Sequence, residues 1–415
     1  MAERNWAGNL TYRAARVAHP ESIDELRSAM AAGPIRMLGS RHSFNGIADT
    51  DGVLVALDRM PRVIEIAPAR DSVRVSGGLR YGDLAPVLEQ AGVQLENLAS
   101  LPHISVAGAV ATGTHGSGDG IGTLAGAVRA VTIVTPAGDI RRLARGDEGF
   151  DGAVVGLGAL GAVVDLTLDV GPAAPYAQRV YEAPAWDAVL ADLGAVTGAG
   201  TSVSIFTTWA RTDAADQIWV KQRGAGDARL DAAMARVGAV PAVTKRHPII
   251  GVGAEAATEQ FGAPGPWYER LPHFQLAFAP SAGAEIQSEY LVPRTDAVSA
   301  IEAVRSLAGE IAPHLLVNEI RTMRADDLWL SPAQGADTVG LHFTWKPDAE
   351  ALARVLPTLE AALPASARPH WGKVSTLAAD EVRARFPRWA DFAALAADFD
   401  PERRLVNDHL AALGL

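Results

Sequence analysis

Residues 98–122 read LASLPHISVAGAVATGTHGSGDGIG, and the rest of the chain is organised around them. The stretch carries no charged side chain before Asp119 and holds six glycines: Gly108, Gly113, Gly116, Gly118, Gly120 and Gly122. Ser100, Ser105, Thr112, Thr114 and Ser117 stand among them. Glycine admits positive φ and close approach of a ligand to the backbone. Hydroxyls and free backbone N–H groups then bond anionic oxygens. Such a loop suits a flat, polar, phosphorylated ligand. The competing reading is a solvated surface loop. Against it stand the lack of Lys or Glu, the embedded His103 and His115, and strand-like runs on either side.

The whole chain sets outer bounds. Its 415 residues fit two or three domains. With 48% hydrophobic and 20% charged residues it reads as an ordinary globular protein rather than a disordered one. A net charge of −11 argues against nucleic acid and anionic membrane surfaces as partners. The absence of cysteine removes disulfides, thiolate metal sites and cysteine nucleophiles together. The first twenty residues lack the apolar core of a secretory signal, and the longest apolar run, 153–164, is too short for a membrane span. A cytoplasmic protein is expected, with no protein partner indicated.

In chain order, Ser22 caps a helix with Ile23, Leu26 and Met30 on one face, ended by Gly33. Strands are expected at 35–38, 52–57, 63–66 and 72–76, then a helix at 81–91. Segments 128–135 and 140–143 make a hairpin around Pro136-Ala-Gly-Asp139. Gly156-Leu-Gly-Ala-Leu-Gly161 matches G-x-G-x-x-G, but a helical segment precedes it and a β-branched run follows. A dinucleotide fingerprint needs the opposite order, so a tight helix-to-strand turn is expected. Gly171-Pro-Ala-Ala-Pro175 marks a domain boundary. Beyond it, strands are expected at 202–209, 218–222, 274–278, 285–292, 315–322 and 339–345, with helices at 295–308 and 349–363 and a helical tail at 390–413. The fold class is α+β, with a broad antiparallel sheet in the second domain.

Glu319 and Arg321 are two apart on one expected strand, as are His342 and Thr344 on the next, so each pair shares a face. Lys373 can close the patch. A polar strand face is commonly just the solvent side. Leu341, Phe343, Trp345 and Trp371 around these residues favour a buried pocket instead. His42 follows a strand, between Arg41 and Ser43; a lone histidine is more often structural than functional. There is no H-E-x-x-H, calcium loop, G-x-S-x-G or P-loop, and no metal is expected.

Arg36-Met-Leu-Gly-Ser-Arg-His-Ser-Phe44, Ser100-Leu-Pro-His-Ile-Ser105 and Ala111-Thr-Gly-Thr-His-Gly116 together resemble the FAD-binding (PCMH-type) domain of vanillyl-alcohol-oxidase-type flavoproteins. The runs LVNEIRT (316–322), LHFTW (341–345) and ARPHWGKV (367–374) narrow the resemblance to bacterial alditol oxidases. It extends over nearly the whole chain, including Trp6-Ala-Gly-Asn9 and Glu259-Gln-Phe-Gly262.

The resemblance implies two domains: 1–171 plus 376–415 for FAD, and 172–375 for substrate. It implies FAD attached covalently to His42 through the flavin 8-methyl group. The cradle would be Gly39, Ser40, Arg41, Ser43, Ser105, Gly108, Thr112, Gly113, Thr114 and His115, with Ala162 beside it. Ser100 and Thr344 match substrate-binding positions, and Glu319, Arg321, His342 and Lys373 catalytic ones. His342 and Lys373 are both candidate bases, and Glu319 an orienting group. Arg41 departs from the family pattern, which has a small residue there. The implied reaction oxidises a terminal primary hydroxyl of an alditol (xylitol, sorbitol) to the aldose, reducing O2 to hydrogen peroxide. A sugar-1,4-lactone oxidase or dehydrogenase of the same family is the alternative, followed by a non-catalytic flavin- or sugar-binding protein.

Overall fold

The computed structural model describes residues 3–31, 33–224, 228–278 and 285–415. Its largest element is an eight-stranded sheet with the spatial order Val240–Pro241, Tyr176–Glu182, Gln217–Arg223, Ser202–Thr207, Leu315–Met323, Thr338–Trp345, Ile286–Pro293 and Arg368–Pro369. Every neighbouring pair is antiparallel. Side chains alternate between the two faces of a strand, and here that alternation separates core from site. Ile320, Leu341, Phe343, Trp345, Tyr290 and Val292 take one face and share an apolar cluster with Val304 and Leu359 of the helices Ala297–Ser306 and Ala349–Ala362. Burying each such side chain contributes roughly 1.5–3 kcal/mol. Glu289, Glu319, Arg321, His342 and Thr344 occupy alternate positions. In the ladder Glu319 lies opposite His342, and His342 opposite Glu289.

The rest of the described chain builds three further sheets, the smallest a pairing of Gly171–Pro172 with Val93–Gln94. Arg16–Ala18, Val53–Val55 and Ile35–Met37 pair in parallel in that order. Ile64–Ile66, Ser72–Ser76, Ala162–Asp169, Val128–Val134 and Ile140–Ala144 form a five-stranded antiparallel sheet. The Ser22 hydroxyl accepts from the Glu25 N–H at the start of Ile23–Met30, as its capping role requires. Phe150–Val154 leads through Gly156–Gly161 into Ala162–Asp169, a helix-to-strand turn as expected. At Gly161 φ is +139°, and an added Cβ would come within 2.3 Å of the Val134 carbonyl, so only glycine fits. The C-terminal helices Ala379–Ala384, Trp389–Phe399 and Asp408–Ala412 place Val382, Phe392, Phe399 and Leu410 in one cluster with Val106, Phe150, Val154 and Leu166.

Three expectations need correction. Segment 274–278 is not a strand: Phe274 makes a single bridge to Ala257, and the chain then turns, with Phe278 N–H donating to the Gln275 carbonyl. Leu276 and Phe278, whose apolar character suggested a strand, are exposed there. Tyr176–Glu182 is a strand that the Gly/Pro-rich linker just before it obscured. The glycine-rich stretch is not all loop, because Val106–Ala111 forms a short helix that buries Val106, Ala109 and Val110.

Candidate active site

A cavity of about 910 Å³ separates the glycine-rich stretch from the polar face of the eight-stranded sheet. That lies toward the upper end of the ~300–1,000 Å³ usual for small-molecule sites. Gly39, Ser40, Arg41, His42, Ser43, Ser100, Ser105, Gly108, Thr112, Thr114 and His115 line it, together with Glu319, Arg321, His342, Thr344 and Lys373. Gly113 and Ala162 do not. Gly113 is turned toward Pro332 at φ +65°. Ala162 is buried among Leu26, Val55 and Val134, and its neighbours Gly161 and Val163 line the cavity instead.

At the first end the strand Ile35–Met37 runs into the turn that carries His42. Ser40 ties this turn to the glycine-rich stretch: its Oγ accepts from the Ser105 N–H at 3.0 Å and lies 3.0 Å from His42 Nδ1. Gly39 and Gly108 close the junction, and a Cβ on either would sit 2.6 Å from Ser105 Oγ. Trp6 stacks on the His42 ring at 5.3 Å and 17°. His42 Nε2 is buried without a hydrogen-bond partner. Burial, reinforced by His103 and Arg80, pushes the imidazole down to about 4, so it is neutral at pH 7. Arg41 has φ +64°, a left-handed conformation uncommon outside glycine, and its guanidinium pairs with Glu3 at 3.2 Å.

The other end is a buried charge cluster centred on Glu289, whose side chain is 0% exposed. Lys373 Nζ donates to its Oε2 at 2.5 Å, Arg321 Nη2 donates to Oε1 at 2.7 Å, and His115 Nε2 lies 3.0 Å from Oε1. Burial raises the Glu289 carboxyl, but Lys373, Arg321 and His115 outweigh it and hold the group well below the usual range. Lys373 Nζ also lies 2.5 Å from His342 Nδ1, and His342 Nε2 lies 3.1 Å from Thr344 Oγ1. Burial, then Lys373, pushes His342 down to about 4. Burial lowers Lys373 too, with Glu289 opposing. An ammonium donates and cannot accept, so when Lys373 is charged His342 Nδ1 accepts its hydrogen bond and Nε2–H is directed to Thr344. Arg321 Nε stands 3.7 Å from Glu319 Oε1, and burial is outweighed by Glu319 and Glu289, which raise the guanidinium. Glu319, despite burial, is held low by Arg321 and His273.

The two ends are joined through the glycine-rich stretch itself. Asp119, the first charge in it, pairs with Arg294 through two contacts of 2.7 and 2.9 Å. His115 belongs to the same stretch, yet its Nε2 faces Glu289 on the eight-stranded sheet.

Sequence reasoning missed Glu289, His273, Lys221 and Trp6. Glu289 left a signal: a carboxylate inside the expected strand 285–292, two residues from Gln287 and therefore on its face. Nothing local marked His273 or Lys221, which meet across 52 residues of chain.

Residues 14–144 match the family described as FAD binding domain, and residues 284–413 the family described as D-arabinono-1,4-lactone oxidase. The chain is 48% identical to the alditol oxidase of a Streptomyces species over 419 aligned positions, which cover 99% of each chain. It is 27% identical to the L-gulono-1,4-lactone dehydrogenase of Mycobacterium tuberculosis, over 98% of this chain and 97% of that one. In three dimensions it matches a solvent-stable cholesterol oxidase with a TM-score of 0.75, covering 100% of this chain and 97% of that one at 14% identity. At that identity the likeness establishes the fold alone.

Proposed function

The chain belongs to the alditol oxidase family of FAD-binding oxidoreductases, and on that premise we propose that it oxidises a terminal primary hydroxyl of alditols such as xylitol and sorbitol. The products are the aldose and, from O2, hydrogen peroxide. The observation that carries this reading is the full-length 48% identity to an alditol oxidase. The buried Glu319, Arg321, His342 and Thr344 on one sheet face, with Lys373 against them, support it. A polyol presents only hydroxyls, each both donor and acceptor, and such a mixed set can satisfy them in pairs.

The residues at the first end fit FAD. The orphaned, neutral His42 Nε2 and the Gly39–Gly108 junction, which a Cβ would block, are what a covalently held cofactor needs. We assign the link to His42 and the cradle to Gly39, Ser40, Arg41, Ser43, Ser105, Gly108, Thr112, Thr114 and His115. Bound FAD supplies the hydride acceptor. Residues 1–171 with 376–415 form the FAD domain and 172–375 the substrate domain, a division supported by the packing of the C-terminal helices on Phe150 and Val154.

Each site residue then has a task. Glu319 and Arg321 hold inner hydroxyls; side chains two apart on a strand are spaced by roughly 6.6–7 Å. In its neutral form, which burial favours, Lys373 Nζ receives the proton of the reacting hydroxyl, with His342 Nδ1 beside it and Glu289 fixing the lysine. Arg321 stays cationic and opposes the negative charge that develops on the reacting oxygen as its proton departs. Ser100 and Thr344 complete the polyol contacts. A second reading, oxidation of a sugar lactone, is favoured by one observation, the match of residues 284–413 to the D-arabinono-1,4-lactone oxidase family.

Intact-mass measurement of the purified protein should give the chain plus one FAD, with the yellow colour in the pellet after acid precipitation. Colour left wholly in the supernatant would remove the His42 link. Anaerobic xylitol should bleach the flavin absorbance. Bleaching by a lactone and not by xylitol would transfer the protein to the second reading.

A further inference from the structure

Behind Glu319 lies a second row of buried polar groups to which the chemistry above gives no task. Lys221, on the strand Gln217–Arg223, is fully enclosed in the sheet. Its Nζ donates to the Leu271 carbonyl and lies 3.0 Å from His273 Nδ1. On the other side of the ring, His273 Nε2 lies 2.8 Å from Glu319 Oε1. The imidazole cannot easily turn, because Phe206 and Trp219 meet it edge-on at 5.4 and 5.3 Å. Burying a lysine ammonium is unfavourable unless its donors are used, so a lysine placed here invites a reason.

The geometry fixes the proton positions. Burial, then Lys221, pushes His273 down to about 4, so the ring is neutral and carries one proton. Burial brings Lys221 down to about 7, with Glu319 opposing. Glu319 is held low and, as a carboxylate, only accepts, so the nitrogen 2.8 Å from it, Nε2, carries the ring proton. Nε2–H therefore donates to Glu319, and Nδ1 accepts from Lys221. The contacts from His273 and Arg321 both fall on Glu319 Oε1. Oε2 makes no hydrogen bond among the described residues, while Glu319 lines the cavity.

We propose that Lys221 and His273 are positioning residues for the oxidation: together they lock one His273 tautomer, which ties down Glu319 Oε1 and keeps Oε2 as the acceptor for a substrate hydroxyl. The kinetic consequence rests on the alditol reading; the tautomer does not. Without the lysine, His273 is free to place its proton on Nδ1, setting an unprotonated Nε2 against the carboxylate. Glu319 then turns away or takes up a proton, and in either state it accepts the hydroxyl less well. Losing a hydrogen bond to a charged group weakens binding by roughly tenfold or more.

Two measurements on the FAD-loaded protein test this. In 15N-histidine NMR, with the His273→Gln spectrum identifying the His273 resonances, wild type should show an unprotonated Nδ1 and a protonated Nε2, and Lys221→Met should show a mixture. In steady-state kinetics, Lys221→Met should raise the xylitol KM about tenfold, change kcat far less, and leave the flavin spectrum unchanged. In a Glu319→Gln background the same substitution should add nothing further. His273→Gln, which keeps an N–H donor for Glu319, should retain more affinity than His273→Leu. A protonated Nδ1 in wild type would overturn the proposal, as would a Lys221→Met enzyme with the wild-type KM. Parallel losses in KM, kcat and unfolding midpoint would reduce Lys221 to a structural role and overturn it too. If wild type oxidises no alditol, the functional reading fails, while the NMR result still decides the tautomer.

Discussion

Glu289→Gln keeps the shape of the side chain and removes the negative charge that Lys373, Arg321 and His115 share. The three contacts are 2.5, 2.7 and 3.0 Å, and the carboxylate is wholly enclosed. Removing one partner of a buried ion pair costs roughly 3–5 kcal/mol. The glutamine amide oxygen still accepts from one of the cations, which puts the expected loss near the lower figure, about 3 kcal/mol. The pH dependence has a definite sign. Burial raises the Glu289 carboxyl, but Lys373 and Arg321 bring it well below its ordinary 4.5. A group depressed in the folded state stabilises fully above its unfolded value, and loses that contribution as pH falls through the folded one. Wild type should therefore exceed Glu289→Gln by a constant margin above about pH 5, with the gap closing only in stronger acid. Urea midpoints of the FAD-loaded proteins, followed by both flavin and tryptophan signals across a pH series, measure it. Equal midpoints at pH 7, or a gap that widens on acidification, would refute the central place given to this carboxylate.

Three further outcomes are expected. Arg321→Ala should lower kcat/KM for xylitol by roughly tenfold or more while leaving the bound-flavin spectrum in place, since one unpaired buried partner costs about 1–3 kcal/mol; an unchanged kcat/KM would take Arg321 out of the polyol site. His42→Ala should yield a chain whose intact mass lacks the FAD increment, and a persisting increment would move the link elsewhere. Gly108→Val should reduce the ratio of flavin to protein absorbance, because even a Cβ there comes within 2.6 Å of Ser105 Oγ; full occupancy would show that the junction yields.

Much of this arrangement is legible in the sequence, for physical reasons. The period of two along 315–322 and 339–345 put Glu319 with Arg321, and His342 with Thr344, on shared faces whatever the strands paired with. The ladder then set Glu319 directly across from His342. The order of helix and strand around Gly156–Gly161 was equally local and decided against a dinucleotide fingerprint. What stayed hidden depends on contacts between distant segments. Glu289 becomes central only because Thr338–Trp345 brings it beside His342, and because His115 arrives from the opposite side of the cavity. The Lys221–His273–Glu319 row joins three separate stretches of chain. Segment 274–278 misled because its apolar residues serve an exposed turn rather than a ladder.

The most direct test of alditol oxidation is the rate of hydrogen peroxide formation under air from xylitol, sorbitol, L-gulono-1,4-lactone and ethanol, each at equal concentration. Xylitol and sorbitol should lead, and ethanol should react poorly because it leaves the buried partners Glu319 and Arg321 unpaired. A clear preference for the lactone, or no peroxide from either alditol, would contradict the assignment.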